Sequence, residues 1–422
     1  MPIPSRLRAA IGPGLLMAGA AVGVSHLVQS TRAGAEYGLA LLGVVLLGCA
    51  LKYPFLEFGP RYAAATGEDM ISGYRRLGKG SLAIFAFLTL STMFTVLASV
   101  TLVTAGLTGM VFGLDLSTTT LSFLALLACM AILGLGHYRG LDLLMKVVIS
   151  LLSLATLLAV GLAMGHGPNW AGLGASFTDS TLLSGAGLAV VLALLGWMPI
   201  PLDAAAWHSL WTIERARETG QAPSVRHASM DFRIGYLGAT LLAAAFLVLG
   251  ALIMHGSGQA WSSSAVGFSA QLVDLYAESL GQWARPLIAI AALATMFSTT
   301  LTVADAYPRA LRAMLELRDP DQQTSLRRRQ GRYLGAMLST VAGALLIISL
   351  FGRHFTLLID FTTTVSFLTA PVIAWLNLKL LTGPHTPEHA RPGPVLTATA
   401  WAGLAFLVAF SLIWASWRLM PG

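Results

Sequence analysis

Long apolar runs separated by short polar connectors dominate the pattern of this chain. A run of about 18 or more apolar residues is long enough to cross a membrane as a helix. These runs are continuous rather than alternating, so they predict a bundle of membrane-spanning helices and not a β-barrel. The eleven predicted spans, numbered in chain order, are Ala9–Ser30, Leu39–Phe58, Ser81–Phe112, Thr118–Gly136, Leu141–Met164, Leu182–Trp211, Ile234–Met254, Pro286–Pro308, Leu334–Phe351, Phe355–Leu381 and Val395–Trp414.

The composition supports this all-α integral membrane class. Hydrophobic residues make up 56% of the 422 residues and charged residues only 11%, whereas soluble domains carry roughly 25% charged residues. The connectors are too short for a soluble domain, so residues 1–422 form one predicted transmembrane domain. Neither a P-loop nor an HExxH motif occurs, so we expect no ATP hydrolysis, no enzyme and no resident cofactor.

The distribution of basic residues predicts the orientation. With the N-terminus in the cytoplasm, all but four of the 26 Lys and Arg residues lie on the inner side, Lys52 among them. The four outer residues are Arg32, Arg285, Arg353 and Arg418. By the positive-inside rule, this predicts a multi-pass protein of a bacterial cytoplasmic membrane with its C-terminus outside. Anionic lipid then accounts for the basic balance, and we expect neither a nucleic-acid partner nor an obligatory protein partner.

The cysteines predict no cross-link. Cys49 and Cys129 are the only two, and both lie in apolar runs. Free cysteine is readily buried as a small apolar residue, so we interpret both as packing residues without a disulfide framework.

Two spans that are five apart carry residues that disturb helices. Gly19 and Gly23 loosen the first span. In the sixth span, Pro199 and Pro201 each remove a backbone donor and clash with the preceding turn. Interrupted helices at corresponding positions in two halves indicate an inverted-repeat transporter with a binding site near the membrane midplane.

The two predicted halves follow from this correspondence. The first repeat covers about 9–164 and the second about 182–381, with an extra helix at about 395–414. Each half contributes five spans, and the substrate site is expected where the two interrupted spans meet.

Polar side chains cluster at the two predicted interruptions. Asp203 lies two residues after the second proline, and a carboxylate at the membrane centre costs about 2.5–3.5 kcal/mol on insertion scales, which points to a function. Imidazole, thioether and carboxylate groups together suit a first-row transition metal. We therefore predict His26, Met198 and Asp203 as metal ligands in a substrate site that also contains Gly23.

The tenth span contributes a polar stripe. Asp360 and Thr363 are expected on one helical face, and Pro371 is expected to break the helix further on. In the first span, His26 and Gln29 are three residues apart and are expected to share a face. Thr363 joins the predicted substrate site, and Asp360 is a predicted proton or gating group.

Two further groups are candidates for proton transfer or gating. His208 lies in the inner half of the sixth span, and Asp305 lies near the inner end of the eighth. Asp305 either gates the inner mouth or pairs with Arg309 one helical turn later. The second interpretation is favoured.

The first and sixth spans resemble those of the Nramp divalent-metal transporters. GPG at Gly12–Gly14 and AGA at Ala33–Ala35 have the spacing of that family, and MP at Met198–Pro199 and HS at His208–Ser209 resemble its MPH helix. The resemblance implies a LeuT-type 5+5 inverted-repeat bundle of about 11 transmembrane helices, with helices 1 and 6 broken. It also implies secondary active transport of a divalent cation such as manganese or iron by alternating access.

The chain departs from the family at the metal site. A gapless alignment puts residues 23–26, Gly-Val-Ser-His, where the family has Asp-Pro-Gly-Asn. In the sixth span two registers stay open. In one, Met198 keeps the thioether ligand and Ile200 replaces the family's histidine. In the other, Asp203 replaces that histidine.

Two other functions stay open. The missing aspartate and the positive ends of half-helices suit a small organic solute or anion carried on the same scaffold. A receptor or scaffold that transports nothing is the third hypothesis, and no extramembrane domain is predicted to support it.

Overall fold

The computed structural model describes residues 12–135, 138–165, 185–258, 261–317, 326–352 and 354–419. The start of the first predicted span, the connector after the fifth and Arg353 lie outside these residues. The helices are α1 (Pro13–Ala21), a π-helix (Ser25–Ser30), α2 (Thr31–Tyr37), α3 (Leu42–Thr66), α4 (Met70–Leu77), α5 (Lys79–Phe112), α6 (Thr118–Leu135), α7 (Tyr138–Gly165), α8 (Gly185–Trp197), α9 (Ala204–Thr219), α10 (Val225–Met254), α11 (Ala265–Leu280), α12 (Arg285–Glu316), α13 (Leu326–Phe351), α14 (Phe355–Thr382) and α15 (Pro394–Leu419).

The all-helical membrane fold is confirmed. A helix lies at each predicted span, and no strand occurs in the described part of the chain. Among the described residues, seven helices are long and apolar enough to cross a membrane, and the total of eleven spans stays a prediction. The sequence pattern missed α4 and α11, two shorter helices that connect spans and whose apolar side chains are buried.

Both predicted interruptions are present. The first span is helical to Ala21, loses helical structure at Val22 and Gly23, and continues as the π-helix. The sixth span ends its first half at Trp197 and resumes at Ala204, so residues 198–203 are not helical. Proline has no N–H and clashes with the preceding turn, so the Pro-Ile-Pro sequence cannot continue α8.

Two expectations about helix geometry are wrong. Pro371 does not break the tenth span, because α14 continues through it. Packed neighbours stabilise proline inside membrane helices. His26 and Gln29 do not share a face, because their segment is a π-helix with wider turns than an α-helix. The His26 ring contacts α10, whereas the Gln29 side chain contacts α14.

Close packing brings the first half of the sixth span against the tenth. Gly196, near the end of α8, has no side chain, and a Cβ there would lie 2.0 Å from the carbonyl oxygen of Thr363 in α14. Small residues allow such close approach between membrane helices. In contrast to α8, helix α15 lies at the periphery, since only 22% of its most apolar stretch is buried. The interrupted spans are thus enclosed by other helices while the extra helix lies outside them.

The Gly196 contact gives a test of the packing around the interruption. We expect Gly196→Ala to destabilise the detergent-solubilised protein by about 1–3 kcal/mol, because overpacking forces the backbones apart. Gly161→Ala is the matched control, since a Cβ at this helical glycine meets no atom within 4 Å. Melting temperatures measured by intrinsic fluorescence compare the two. Equal melting temperatures for the two variants would contradict this packing.

Candidate functional site

Thr299 of α12 stabilises the interruption of the first span. Its hydroxyl lies 3.1 Å from the carbonyl oxygen of Gly19 and 3.4 Å from that of Val22. Gly23 is needed for this approach, because a Cβ at that position would lie 2.7 Å from Thr299 Cγ2. Gly23 is therefore at the predicted place beside the broken backbone, and its contact is with the eighth span.

Lys52 stabilises the interruption of the sixth span. Its ammonium nitrogen lies 3.1 Å from the carbonyl oxygen of Leu195, 3.2 Å from that of Gly196 and 2.9 Å from that of Ile200. Lys52 is a residue of α3, and its side chain is only 1% exposed. The expectation that Lys52 is one of the inner-side topology charges is therefore wrong, because the residue is buried within a span.

The π-helix places two serines against the sixth span. Ser30 Oγ donates to the thioether sulfur of Met198 at 3.6 Å. Ser25 Oγ lies 3.5 Å from the carbonyl oxygen of Pro199. The two interrupted backbones therefore face each other directly, as the midplane-site hypothesis requires.

His26 is fully buried and both of its ring nitrogens have partners. Nε2 donates to the carbonyl oxygen of Ala239 at 2.8 Å, since a carbonyl can only accept, and Nδ1 lies 2.8 Å from Ser25 Oγ. The ring also meets Phe246 edge-on at 6.4 Å between centroids. In this conformation the imidazole connects the first span to α10. A metal bond from His26 requires the loss of one of these hydrogen bonds.

Asp203 closes the non-helical segment and lies in a polar corner. Its Oδ2 accepts a hydrogen bond from the hydroxyl of Tyr307 at 3.2 Å. A cavity of about 10 Å³ adjoins the carboxylate and is lined by Thr89, Ser366 and Thr369, among others. The hydroxyls of spans three and ten thus surround the one carboxylate at this interruption.

A second cavity separates the two broken backbones. It has a volume of about 20 Å³ and is lined by Val24 and Ser25 of the first span, Ile200 and Pro201 of the sixth, and Thr299. About 10–15 Å³ of such space holds one water molecule. The cavity therefore has room for a single water molecule, beside the hydroxyls of Ser25 and Thr299 and otherwise mostly apolar side chains.

The three predicted metal ligands contact different partners in this conformation. His26 bonds to α10, Met198 to the π-helix and Asp203 to α12. No cluster of three His, Cys, Asp or Glu side chains suited to a metal ion occurs among the described residues. Their role as ligands stays a prediction, and any joint coordination needs a change of side-chain or helix position.

A polar network joins the first span to the tenth beyond the interruption. Gln29 Nε2 donates to Asp360 Oδ1 and to Thr363 Oγ1, each at 3.2 Å. Arg32 pairs with Asp360 at 2.9 Å and with Glu36 at 3.4 Å. We call these five residues the outer network, after the orientation that the basic residues predict. Asp360 and Thr363 are thus brought together as predicted, at the side of the site opposite to His208.

The half that is predicted to face the cytoplasm contains the other two candidates. Asp305 accepts from Arg309 Nε and from the hydroxyl of Tyr333, each at 2.6 Å, so the expected ion pair is present. His208 is 1% exposed and lies beside aromatic rings of α9 and α10. Neither of its ring nitrogens has a hydrogen-bond partner within the part of the chain that the structure describes.

Sequence reasoning missed three residues at these interruptions. Lys52 carried a signal, since it is a charged residue inside an apolar run, and such residues are functional candidates by default. Thr299 and Tyr307 carried none, because hydroxyls in membrane helices usually bond to their own or a neighbouring backbone. Their contacts depend on how α12 packs, which a single sequence does not show.

A helical bundle whose first and sixth spans are interrupted on either side of one cavity is the LeuT-type class of membrane transporter. Residues 14–415 match the family model for natural resistance-associated macrophage protein-like (Nramp) proteins, and the chain belongs to this family. It is 37% identical to an uncharacterized protein of Pasteurella multocida over 410 residues, which cover 96% of this chain and 91% of that protein. The chain is therefore a multi-pass membrane protein of a transporter family.

Named relatives are more distant. The divalent metal cation transporter MntH of Bradyrhizobium diazoefficiens is 25% identical over 416 residues, covering 96% of this chain and 89% of the relative. A crystal structure of a variant of the Eremococcus coleocola manganese transporter superposes with a TM-score of 0.71 at 17% identity, covering 96% of this chain and 86% of that one. The structural likeness establishes the fold.

The outer network gives a test of access from outside. In a chain with Cys49 and Cys129 replaced by alanine, Val24→Cys places a thiol at the cavity. We expect Asp360→Asn to increase the rate of its labelling by an impermeant maleimide about tenfold, which corresponds to a loss of about 1.4 kcal/mol from the closed state. The reason is that this variant replaces the carboxylate that binds Gln29 and Arg32 with a neutral amide.

The matched control is Asp274→Asn, which removes an exposed ion pair to Arg285 outside the network. Its labelling rate should equal that of the Val24→Cys parent. An unchanged rate in Asp360→Asn would show that the outer network does not restrict access.

Proposed function

We propose that this protein is a secondary active transporter that moves a divalent metal cation, such as manganese or iron, by alternating access. The observation that carries the proposal is that the two interrupted spans face each other across a cavity of about 20 Å³, with a second small cavity beside the Asp203 carboxylate. Freed carbonyl oxygens and half-helix ends at such interruptions hold ions in inverted-repeat transporters. Membership of the Nramp family and the MntH relatives support a metal as the substrate.

The proposed ligand set begins with the two side chains at the ends of the non-helical segment. Asp203 supplies the carboxylate and Met198 the thioether, and together with backbone oxygen atoms they suit a first-row metal ion. His26 adds an imidazole only if its bond to Ala239 or to Ser25 breaks. Gly23, which packs against Thr299, and Thr363, which accepts from Gln29, are further proposed substrate-site residues.

Gating is assigned to the contacts on either side of the cavity. The outer network joins the first and tenth spans, so its separation would open the outer path. Asp305 with Arg309 and Tyr333 joins α12 to α13 at the inner end. His208 is the proposed proton-accepting group, because it is buried in the inner half of the sixth span without a hydrogen bond among the described residues.

The proposed membrane arrangement follows the basic residues. We place the protein in a bacterial cytoplasmic membrane with the N-terminus in the cytoplasm and the C-terminus outside. The repeats of about 9–164 and 182–381 then alternate the exposure of the cavity. Lipid and the transported ion are the only partners that the proposal requires, and no resident cofactor is involved.

Uptake of Mn²⁺ into proteoliposomes tests the proposal. We expect Asp203→Asn to lower the initial uptake rate by about 10²-fold or more, since removing a charged ligand from a buried site costs about 3–5 kcal/mol. Asp274→Asn, at an exposed position of α11, is the matched control and should transport like the unaltered chain. If Asp203→Asn transports Mn²⁺ at the control rate with normal folding, Asp203 is not the ligand. If the unaltered chain transports no metal, the proposed function fails.

One observation favours a small organic solute or anion as the second candidate. The buried ammonium of Lys52 puts a positive charge next to the interruption of the sixth span, and a positive charge disfavours a nearby metal cation. Isothermal titration with divalent metals and with a panel of small carboxylates separates the two. Heats from carboxylates alone would replace the first candidate with the second.

A further inference from the structure

Lys52 has the hydrogen-bond geometry of a bound cation. Three carbonyl oxygens surround its nitrogen at 2.9–3.2 Å. A lysine ammonium has three N–H donors and no acceptor. Each of the three carbonyl oxygens can therefore accept one N–H of the charged form. The side chain is 1% exposed, so it does not extend its charge to water at the membrane surface, as lysines near helix ends do.

The carbonyls are available because the sixth span is interrupted. The last four C=O groups of a helix have no partner within it, and Leu195 and Gly196 are in the last turn of α8, which ends at Trp197. Ile200 belongs to the non-helical segment. The C-terminal end of a helix also carries a partial negative charge. Converging carbonyl oxygens with such a field form a binding site for a hard cation.

We propose that Lys52 is a tethered cation that permanently occupies a monovalent-cation site at the end of α8. The ammonium replaces a free ion such as Na⁺ or NH₄⁺ at these carbonyls and fixes the non-helical segment to α3. The inference concerns the carbonyl site alone and holds whichever substrate the transporter moves.

Chemical rescue tests this assignment. Lys52→Ala empties the site, and we expect its melting temperature in detergent to fall and then to recover by at least half, saturably, when ammonium or methylammonium chloride is added. Ligands that bind only the folded state stabilise it in this saturable way. Choline chloride at equal ionic strength should give no recovery, because a quaternary ammonium has no N–H to donate.

Two further variants separate the site from general effects. Lys379→Ala removes a lysine that lies over the ring of Trp375, at 4.8 Å from its centroid, and it should show no ammonium-dependent shift. Lys52→Met keeps most of the length of the side chain without its charge or its N–H donors, so its loss of stability should persist in ammonium.

The proposal is overturned if no small cation raises the melting temperature of Lys52→Ala, or if ammonium raises Lys379→Ala equally. Failure of Lys52→Ala to accumulate in cells and membranes supplied with ammonium also counts against it, because the free cation should restore folding. The readout is stability and not flux. A failed metal-uptake experiment therefore does not decide this proposal, and the two proposals can fail independently.

Discussion

Non-helical backbone inside a membrane has no water to bond to, so each freed polar group needs a partner from the protein. That constraint shapes the centre of this molecule. Thr299 donates to a carbonyl oxygen of the first span that lacks a helical partner, and Lys52 donates to those of the sixth. Without such partners an unsatisfied backbone group costs several kcal/mol, so the interruptions would strongly destabilise the fold. The cavity between them exists because neighbouring helices supply these hydrogen bonds.

The charges at the site are rearranged relative to the family pattern that the sequence resembles. Glycine stands at position 23, where that pattern has an aspartate, and the carboxylate at the centre is Asp203 in the sixth span. The structure adds the ammonium of Lys52 on the other side of the same segment. One negative and one positive group therefore share the interruption, and both are held by protein contacts. A substrate ion that binds here must gain more from Asp203 and the carbonyl oxygens than it loses to repulsion by Lys52.

Much of the fold could be predicted from the sequence, because membrane helices need long apolar runs and proline pairs interrupt them. The site was predicted less completely. Residue types placed Gly23, Asp203 and Met198 at the interruptions, but the π-helix turned His26 towards α10, which an α-helical projection does not anticipate. Pro371 shows the same limit, since tertiary packing decides whether a proline ends a helix. Lys52 was visible as a charge in an apolar run, but its carbonyl partners follow from how α3 packs against α8.

The central claim is that the two interrupted spans bind the transported ion. Anomalous X-ray scattering from crystals soaked in Mn²⁺ tests this claim most directly. The account predicts one strong peak in the space between the π-helix and residues 198–203, within bonding distance of the Asp203 carboxylate or the Met198 sulfur. A peak elsewhere in the bundle, or none at a Mn²⁺ concentration that supports uptake, would contradict it.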